Sequence, residues 1–388
     1  MKRKICIVTG TRAEYSLLKP LIELFNNENH YDVQLIATCM HLSHEFGLTA
    51  TEIENDQLPI ADKIEMLLNS DTACAISKSI GIGVMSFADS LRRLEPDLLL
   101  VVGDRFETLS VVIPAFMMKI PIIHLHGGET TEGAFDEGIR HSITKMSHLH
   151  FTSTALHRRR VIQLGEDPDR VFNVGAIGVE NIKKLVLIPR AELERQLDFN
   201  FLEKNILVTF HPVTLEKSSS EKHFNNLLSV LDQYKQLGII FTKANADPDG
   251  KIINSMIDKF VHKNSTRAQS YISMGHEKYL SAMNYVDAVV GNSSSGIIET
   301  PSLKKGTINI GDRQAGRSQA TSIINCPPEA ADIEAAFEKL FSHDFQARLK
   351  DVVNPYEGQD TSKTIYNHIH HYPFAQRALK KKFYDVQF

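Results

Sequence analysis

The chain has few cysteines. Cys6, Cys39, Cys74 and Cys326 are scattered over 388 residues, and no two stand at metal-ligand or redox-motif spacing. A disulfide framework is not expected, and free cysteines among apolar neighbours read as small core hydrophobes in a reducing compartment. Long apolar runs are also missing. Nothing approaches the roughly 20 residues of a membrane span, and the run at 5–8 is too short for the apolar core of a secretory signal. A cytoplasmic protein with no membrane partner is expected. Charge of one sign is missing too: 43 Lys and Arg stand against 47 Asp and Glu, a net −4. Nothing draws the whole chain to nucleic acid, so an anionic ligand must be met by local Arg and Lys. No strand is followed by G-x-G-x-x-G, which argues against a dinucleotide fingerprint. Gly81-x-Gly83 lies inside a helical pattern.

What is present is alternation. At 388 residues two domains are the default, and 42% hydrophobic residues suffice for two cores. In the first half, strands are expected at 4–9, 33–39, 97–102, 120–125, 149–152 and 171–174. Helical periodicity runs over 14–26, 73–94, 106–118, 135–145 and 155–164. The rhythm breaks around 175–189 and restarts with strands at 206–210, 238–242, 268–272, 288–290 and 307–310. This is the signature of βαβ units, hence an α/β chain with two doubly wound Rossmann-like domains. Ligands are expected beyond the carboxyl ends of the strands, in an interdomain cleft. The expected limits are 1–178 for the first domain and 179–365 for the second. The basic, aromatic stretch from 361 onward reads as helical, with 366–388 packing back on the first domain.

The strand ends carry the chemistry. Gly291-Asn292-Ser293-Ser294-Ser295-Gly296 follows an apolar run and leads into Ile297-Ile298-Glu299. A strand that ends in hydroxyl and glycine residues and opens a helix offers N–H donors and a partial positive charge to a phosphate. Glu299, about two turns into that helix, could accept ribose hydroxyls. A capped helix after a buried strand would use the same residues, but the other strand ends also point to a nucleotide diphosphate. In Thr9-Gly10-Thr11-Arg12-Ala13-Glu14, Arg12 opposes the helix dipole unless a phosphate is bound. Gly103-Asp104-Arg105-Phe106-Glu107 offers Asp104 as acid, base, sugar-hydroxyl acceptor or helix cap. His124-Leu125-His126-Gly127-Gly128-Glu129 precedes Asp136-Glu137 and Arg140-His141. There the glycines permit close approach, and Glu129 joins Asp104 as a second carboxylate for acid–base work. His124, His126, His141, His148 and His150 tempt a metal reading, yet no motif supplies a third ligand, and no metal is expected. His211, in Phe210-His211-Pro212-Val213-Thr214, suits proton transfer or phosphate contact. Asn245-x-Asp247 follows the strand at 238–242. Arg313, in Gly311-Asp312-Arg313-Gln314 ahead of Gly316-Arg317, could clamp a diphosphate.

In this order and spacing the motifs resemble the UDP-N-acetylglucosamine 2-epimerases, most closely the hydrolysing enzymes of bacterial sialic acid biosynthesis. The resemblance runs from residue 4 to about residue 319. It rests on Gly10-Thr11-Arg12-Ala13-Glu14-Tyr15, Gly103-Asp104-Arg105, His126-Gly127-Gly128-Glu129, residues 139–147, Phe210-His211-Pro212, residues 291–296 and residues 309–317. It implies a glycosyltransferase-B-like fold with UDP held mostly by the second domain. A homodimer or homotetramer and no cofactor are implied as well. Ser293, Ser294, Glu299 and Arg313 would hold the diphosphate and ribose, with Ser295, Gly296 and Asn245 completing the set. Arg12, Arg105 and His211 would lie near the phosphates or sugar. Asp104, Glu129, Asp136 and Glu137 would be catalytic, with His211 in support. Some relatives pack an aromatic residue on uracil just before the position of Tyr279; here that stretch is Ser273-Met274-Gly275-His276-Glu277.

The reaction so implied converts UDP-N-acetylglucosamine and water to UDP and N-acetylmannosamine, feeding sialic acid and capsule polysaccharide synthesis. The C2 proton of the sugar has no adjacent carbonyl, so departure of UDP from C1 must acidify it. Anti elimination gives a 2-acetamidoglucal, and water then adds as C2 is reprotonated from the other face. No hydride moves, so no redox cofactor is needed. The alternatives are the same chemistry on UDP-N,N′-diacetylbacillosamine for legionaminic acid, a non-hydrolysing epimerase, a glycosyltransferase, and a non-catalytic sugar-nucleotide sensor.

Overall fold

The computed structural model describes residues 2–132, 134–213, 219–245, 250–374 and 379–387. The chain divides into two units. The first comprises Met1–Glu129, Asp136–Asn181 and Tyr356–Phe388; the second comprises Thr130–Phe135 and Ile182–Pro355. Each is a doubly wound parallel sheet flanked by helices. No helix among the described residues is long and apolar enough to cross a membrane.

In the first unit the strands are β1 (Arg3–Thr9), β2 (Tyr31–Thr38), β3 (Ile60–Ile64), β4 (Leu98–Val102), β5 (Ile122–Leu125), β6 (Leu149–Thr152) and β7 (Val171–Asn173). Among the described residues their order is β3-β2-β1-β4-β5-β6-β7, all parallel, with Ile5 opposite both Val33 and Leu98. Side chains alternate between the faces. Ile5, Ile7, Leu98 and Leu100 pack one core with Leu18, Leu21, Ile22 and Phe25. Cys6, Val8, Leu99 and Val101 pack the other with Phe87, Leu91, Val111 and Val112. The helix Arg12–Asn27 starts on a capping box, with Thr11 Oγ1 accepting from Glu14 N and the Glu14 carboxylate accepting from Thr11 N.

In the second unit β8 (Lys204–Thr209), β9 (Leu237–Thr242), β10 (Ala268–Tyr271), β11 (Ala288–Gly291), β12 (Gly306–Ile310) and β13 (Ile323–Cys326) take the order β10-β9-β8-β11-β12-β13. That is the 3-2-1-4-5-6 winding of an open Rossmann sheet. Ile206, Val208, Ala288, Val290 and Ile308 face one core, and Leu207, Ile240 and Val289 the other.

Three expectations need correction. The tail is not one helix to its end: the helix is Thr361–His371, and Pro373 disfavours helical backbone at Tyr372. Residues 379–387 are non-helical and are tied down where Lys381 Nζ donates to Ser147 O (2.6 Å) and Glu166 Oε2 (2.6 Å). The unit boundaries also fall elsewhere. Residues 356–365 cluster with the first unit, because Ala176 N donates to Tyr356 O (2.9 Å), Thr361 Oγ1 to Val174 O (2.8 Å) and Ser362 N to Glu180 Oε2 (2.7 Å). The segment Thr130–Phe135 clusters with the second unit although it connects two elements of the first. Finally, β3 and β13 were not expected; both are short outer strands with a single neighbour, where the apolar signal is weakest.

Candidate active site

In the first unit the winding reverses between β1 and β4, the place where open α/β sheets bind ligands. The loops after these strands hold Arg12, which opens its helix, and Asp104 with Arg105. Glu14 is buried beside them and accepts from Gly10 N (2.7 Å) and Thr11 N (3.2 Å). Burial, then the neighbouring Glu107, pushes its carboxyl up to about 8. Glu107 is itself buried and accepts from Arg105 Nε (2.6 Å). Arg105 is thus held by a carboxylate two residues along its own chain.

One strand further on, a denser cluster forms. Arg140, from the helix Asp136–Met146, is 1% exposed. Its Nη2 donates to Asp104 Oδ2, and its Nη1 lies 3.7 Å from Glu129 Oε2 and donates to His126 O (3.4 Å). Glu129 is 2% exposed. Its Oε1 accepts from Ser153 Oγ (2.7 Å) and faces His126 Nδ1 at 2.9 Å. Ser153 Oγ in turn contacts His157 Nδ1 at 2.9 Å. Gly128 is required here: at φ 76° an added Cβ would run into the His157 carbonyl. His126 adopts φ 65° without being glycine, a backbone strain that clusters at functional sites.

The structure therefore joins Asp104 and Glu129 through Arg140, a buried guanidinium that offsets the charge of both carboxylates. Asp136 and Glu137 occupy the first turn of the same helix, one turn before Arg140. Glu137 Oε1 meets His141 Nε2 at 3.1 Å. Several of the tempting histidines brace the fold instead. His124 bonds Gly103 O (2.8 Å) and Thr144 Oγ1 (3.2 Å), and burial pushes it down to about 3. His148 Nδ1 accepts from Ile122 N (3.1 Å), and His150 pairs with Glu166 (3.0 Å).

In the second unit the reversal lies between β8 and β11. Gly291, at φ 131°, has no room for a Cβ against the Thr209 carbonyl, so the strands close tightly there. The Asn292 amide then clamps the backbone of His211, accepting from its N–H (2.7 Å) and donating to its carbonyl (2.8 Å). The Asn292 carbonyl accepts from Arg313 Nη1 (3.1 Å) and Gln314 Nε2 (2.8 Å). Ser293 caps the helix Ser294–Ile298, accepting from Ser295 N, and Tyr279 donates to Ser295 Oγ (2.7 Å). His211, the serine loop and Arg313 are thus gathered at one place. The helix is shorter than expected: it ends at Ile298, and Thr300–Leu303 continues as a 3₁₀ turn with Pro301 in its first turn. Glu299 stands at that junction rather than two turns into a continuing helix. Gly296 packs against Thr307, whose hydroxyl bonds the Gly296 carbonyl (2.7 Å). Asn245 lies beyond β9, next to β8 in the sheet, with its carbonyl close to Gly250. Thr214 and Asp247 fall outside the described residues.

Sequence reasoning named Arg140 but gave it no role. It left His126 among the metal candidates, quoted Glu14 and Glu107 within motifs without a role, and missed Ser153 and His157. Their signal was weak, because a buried partner looks like any polar residue until its neighbours are known.

Buried carboxylates thus stand at the strand ends of one Rossmann-like unit, and hydroxyl and guanidinium donors at those of the other. The sequence pattern of the UDP-N-acetylglucosamine 2-epimerases matches residues 23–370, and the chain belongs to that family. It is 45% identical over 345 residues to a GDP/UDP-N,N′-diacetylbacillosamine 2-epimerase (hydrolyzing) of Campylobacter jejuni, covering 89% of each chain. It is 38% identical over 385 residues to the polysialic acid biosynthesis protein P7 of Escherichia coli, covering 99% of this chain and 98% of that one. In fold it is similar to the UDP-GlcNAc 2-epimerase of Neisseria meningitidis crystallised with UDP-GlcNAc. That likeness has a TM-score of 0.77 at 18% identity and covers 95% of this chain and 99% of that one.

Proposed function

We propose that this protein is a hydrolysing 2-epimerase of a UDP-2-acetamido sugar, releasing UDP and the free sugar inverted at C2. The carrying observation is the buried cluster in which Arg140 bonds Asp104 and stands 3.7 Å from Glu129 at the ends of adjacent strands. The serine loop, Arg313 and His211 stabilise the departing diphosphate. As the C1–O bond breaks, the C2 proton is taken by the acid–base cluster of Asp104, Glu129, Asp136 and Glu137. The C–H electron pair becomes the C1–C2 double bond of a 2-acetamidoglucal. Water then adds at C1 while a proton returns to C2 from the opposite face. Arg12 and Arg105, at the reversal of the first sheet, serve phosphate or sugar oxygens. We take UDP-N-acetylglucosamine as the substrate, in a route to sialic acid. The 45% identity to a relative named for diacetylbacillosamine favours UDP-N,N′-diacetylbacillosamine as a second reading.

The test is incubation with each nucleotide sugar, following UDP release and the free sugar by NMR. Release of UDP with the manno-configured product from one of them is expected. A UDP-bound epimer as the end product would make the enzyme non-hydrolysing, and no conversion of either sugar would refute the proposal.

A further inference from the structure

We propose that His126 is a catalytic base of this reaction, its Nε2 taking the C2 proton while Glu129 holds the ring through Nδ1. This rests on the function proposed above and deepens it, because it moves Glu129 from the proton-transferring position to the one behind it. Three observations converge. First, His126 is 8% exposed, and its Nε2 is buried with no hydrogen-bond partner among the described residues. A buried polar atom left unpaired calls for an explanation, and a catalytic role is a common one. His41 and His124 of the same unit bond through both ring nitrogens, to Thr9 and Thr49 and to Gly103 and Thr144; His150 shares the open ring nitrogen of His126, but its Nε2 is paired with Glu166, at the end of β6 away from Asp104.

Second, Nδ1 stands 2.9 Å from Glu129 Oε1. An ionised carboxylate there requires a proton on Nδ1, which leaves the lone pair of the neutral ring on Nε2. The carboxylate is itself oriented by Ser153 and flanked by Arg140. Base, orienting carboxylate and outer supports are therefore all in place. Third, the ring is carried on a left-handed residue, φ 65°, whose backbone is held from both sides: its N–H donates to Phe151 O (2.8 Å), and its carbonyl accepts from Arg140. The strained turn at the end of β5 is what aims the ring.

In the elimination half, the Nε2 lone pair takes the C2 proton, the C–H pair forms the C1–C2 π bond, and the C1–O pair leaves with UDP. In the return half, the water oxygen bonds C1, the π pair takes a proton at C2 from an acid of the Asp104, Asp136 and Glu137 set, and the added water gives up a proton to that set. The imidazolium gives up its proton before the next turnover.

His126→Asn isolates Nε2. Asparagine tolerates the left-handed backbone, and its amide nitrogen can replace Nδ1–H towards Glu129, but nothing replaces Nε2. Turnover of the full chain should fall at least about 100-fold, with UDP affinity by calorimetry kept within about twofold. In His126→Ala, added imidazole should restore turnover by about 10-fold or more. A His126→Asn enzyme within about threefold of wild type would overturn the assignment. So would a loss matched by an equal loss of UDP affinity or of the thermal transition, with no imidazole rescue in His126→Ala. Wild type inactive on both nucleotide sugars would instead sink the epimerase reading, and this assignment with it.

Discussion

The two units wind their sheets in the same order, yet they furnish the reversal point differently. In the first, the strand ends are crowded with buried charge: Glu107 and Arg140 are each 1% exposed and Glu129 is 2% exposed. In the second, the buried groups are neutral amides, Asn292 and Gln314, which fix His211 and Arg313 through hydrogen bonds. Buried charge is expensive unless it is paired, so the first unit accepts a penalty that the second avoids. The difference fits the two tasks of the proposed reaction. Moving a proton from carbon needs carboxylates and imidazole in a place where their electrostatics are strong. Receiving a diphosphate needs donors already pointing the right way, with the negative charge brought by the ligand.

This contrast predicts separable defects. The largest effects should come from the first unit. Glu129→Gln and Asp104→Asn should each lower kcat by at least about 10²-fold while UDP affinity stays near wild type; calorimetry showing UDP affinity lost in step would erase the division of labour. Next, Arg313→Ala should weaken UDP binding by about 2–4 kcal/mol if it removes a desolvated charge-assisted contact. Unchanged affinity would mean that the second unit does not receive the diphosphate there. Tyr279→Phe removes only the hydroxyl that bonds Ser295, and a UDP affinity loss of about 0.5–1.5 kcal/mol is expected.

A separate effect is on stability. Burial, then the neighbouring Glu107, pushes the Glu14 carboxyl up to about 8 in the fold, from an ordinary value of 4.5. Between those values the folded chain keeps a proton that the unfolded chain releases, so its contribution to stability is full at low pH and is lost as pH rises to about 8. Glu14→Gln should flatten that part of the melting-temperature profile between pH 5 and 9. Parallel profiles for variant and wild type would show that Glu14 is not protonated in the fold.

Much of this was legible in the sequence, for physical reasons. Strands covered on both faces are nearly continuous apolar runs, so β4, β5, β8 and β11 stood out, and with them the candidate residues that follow directly. Of the four outer strands, β7 and β10 were expected, and β3 and β13 were missed. Glu129 was visible because two glycines precede it. His126 was not separable from His124, two residues earlier on the same strand, until the backbone showed which one turns left-handed and which one pairs both ring nitrogens. Arg140 links Asp104 to Glu129 across 36 and 11 residues of sequence, a relation that no local pattern encodes. The short helix after Ser293 was over-read because Pro301 was not weighed against the helical run.

The central claim is that the C2–H bond breaks and that solvent replaces the departing UDP. The most direct measurement is turnover in D₂O, and separately in ¹⁸O-labelled water, with the early product read by NMR and mass spectrometry. Every product molecule should carry deuterium at C2, with ¹⁸O at C1 and none in the UDP phosphates. Protium retained at C2, or label in the UDP, would contradict the account whatever sugar is finally formed.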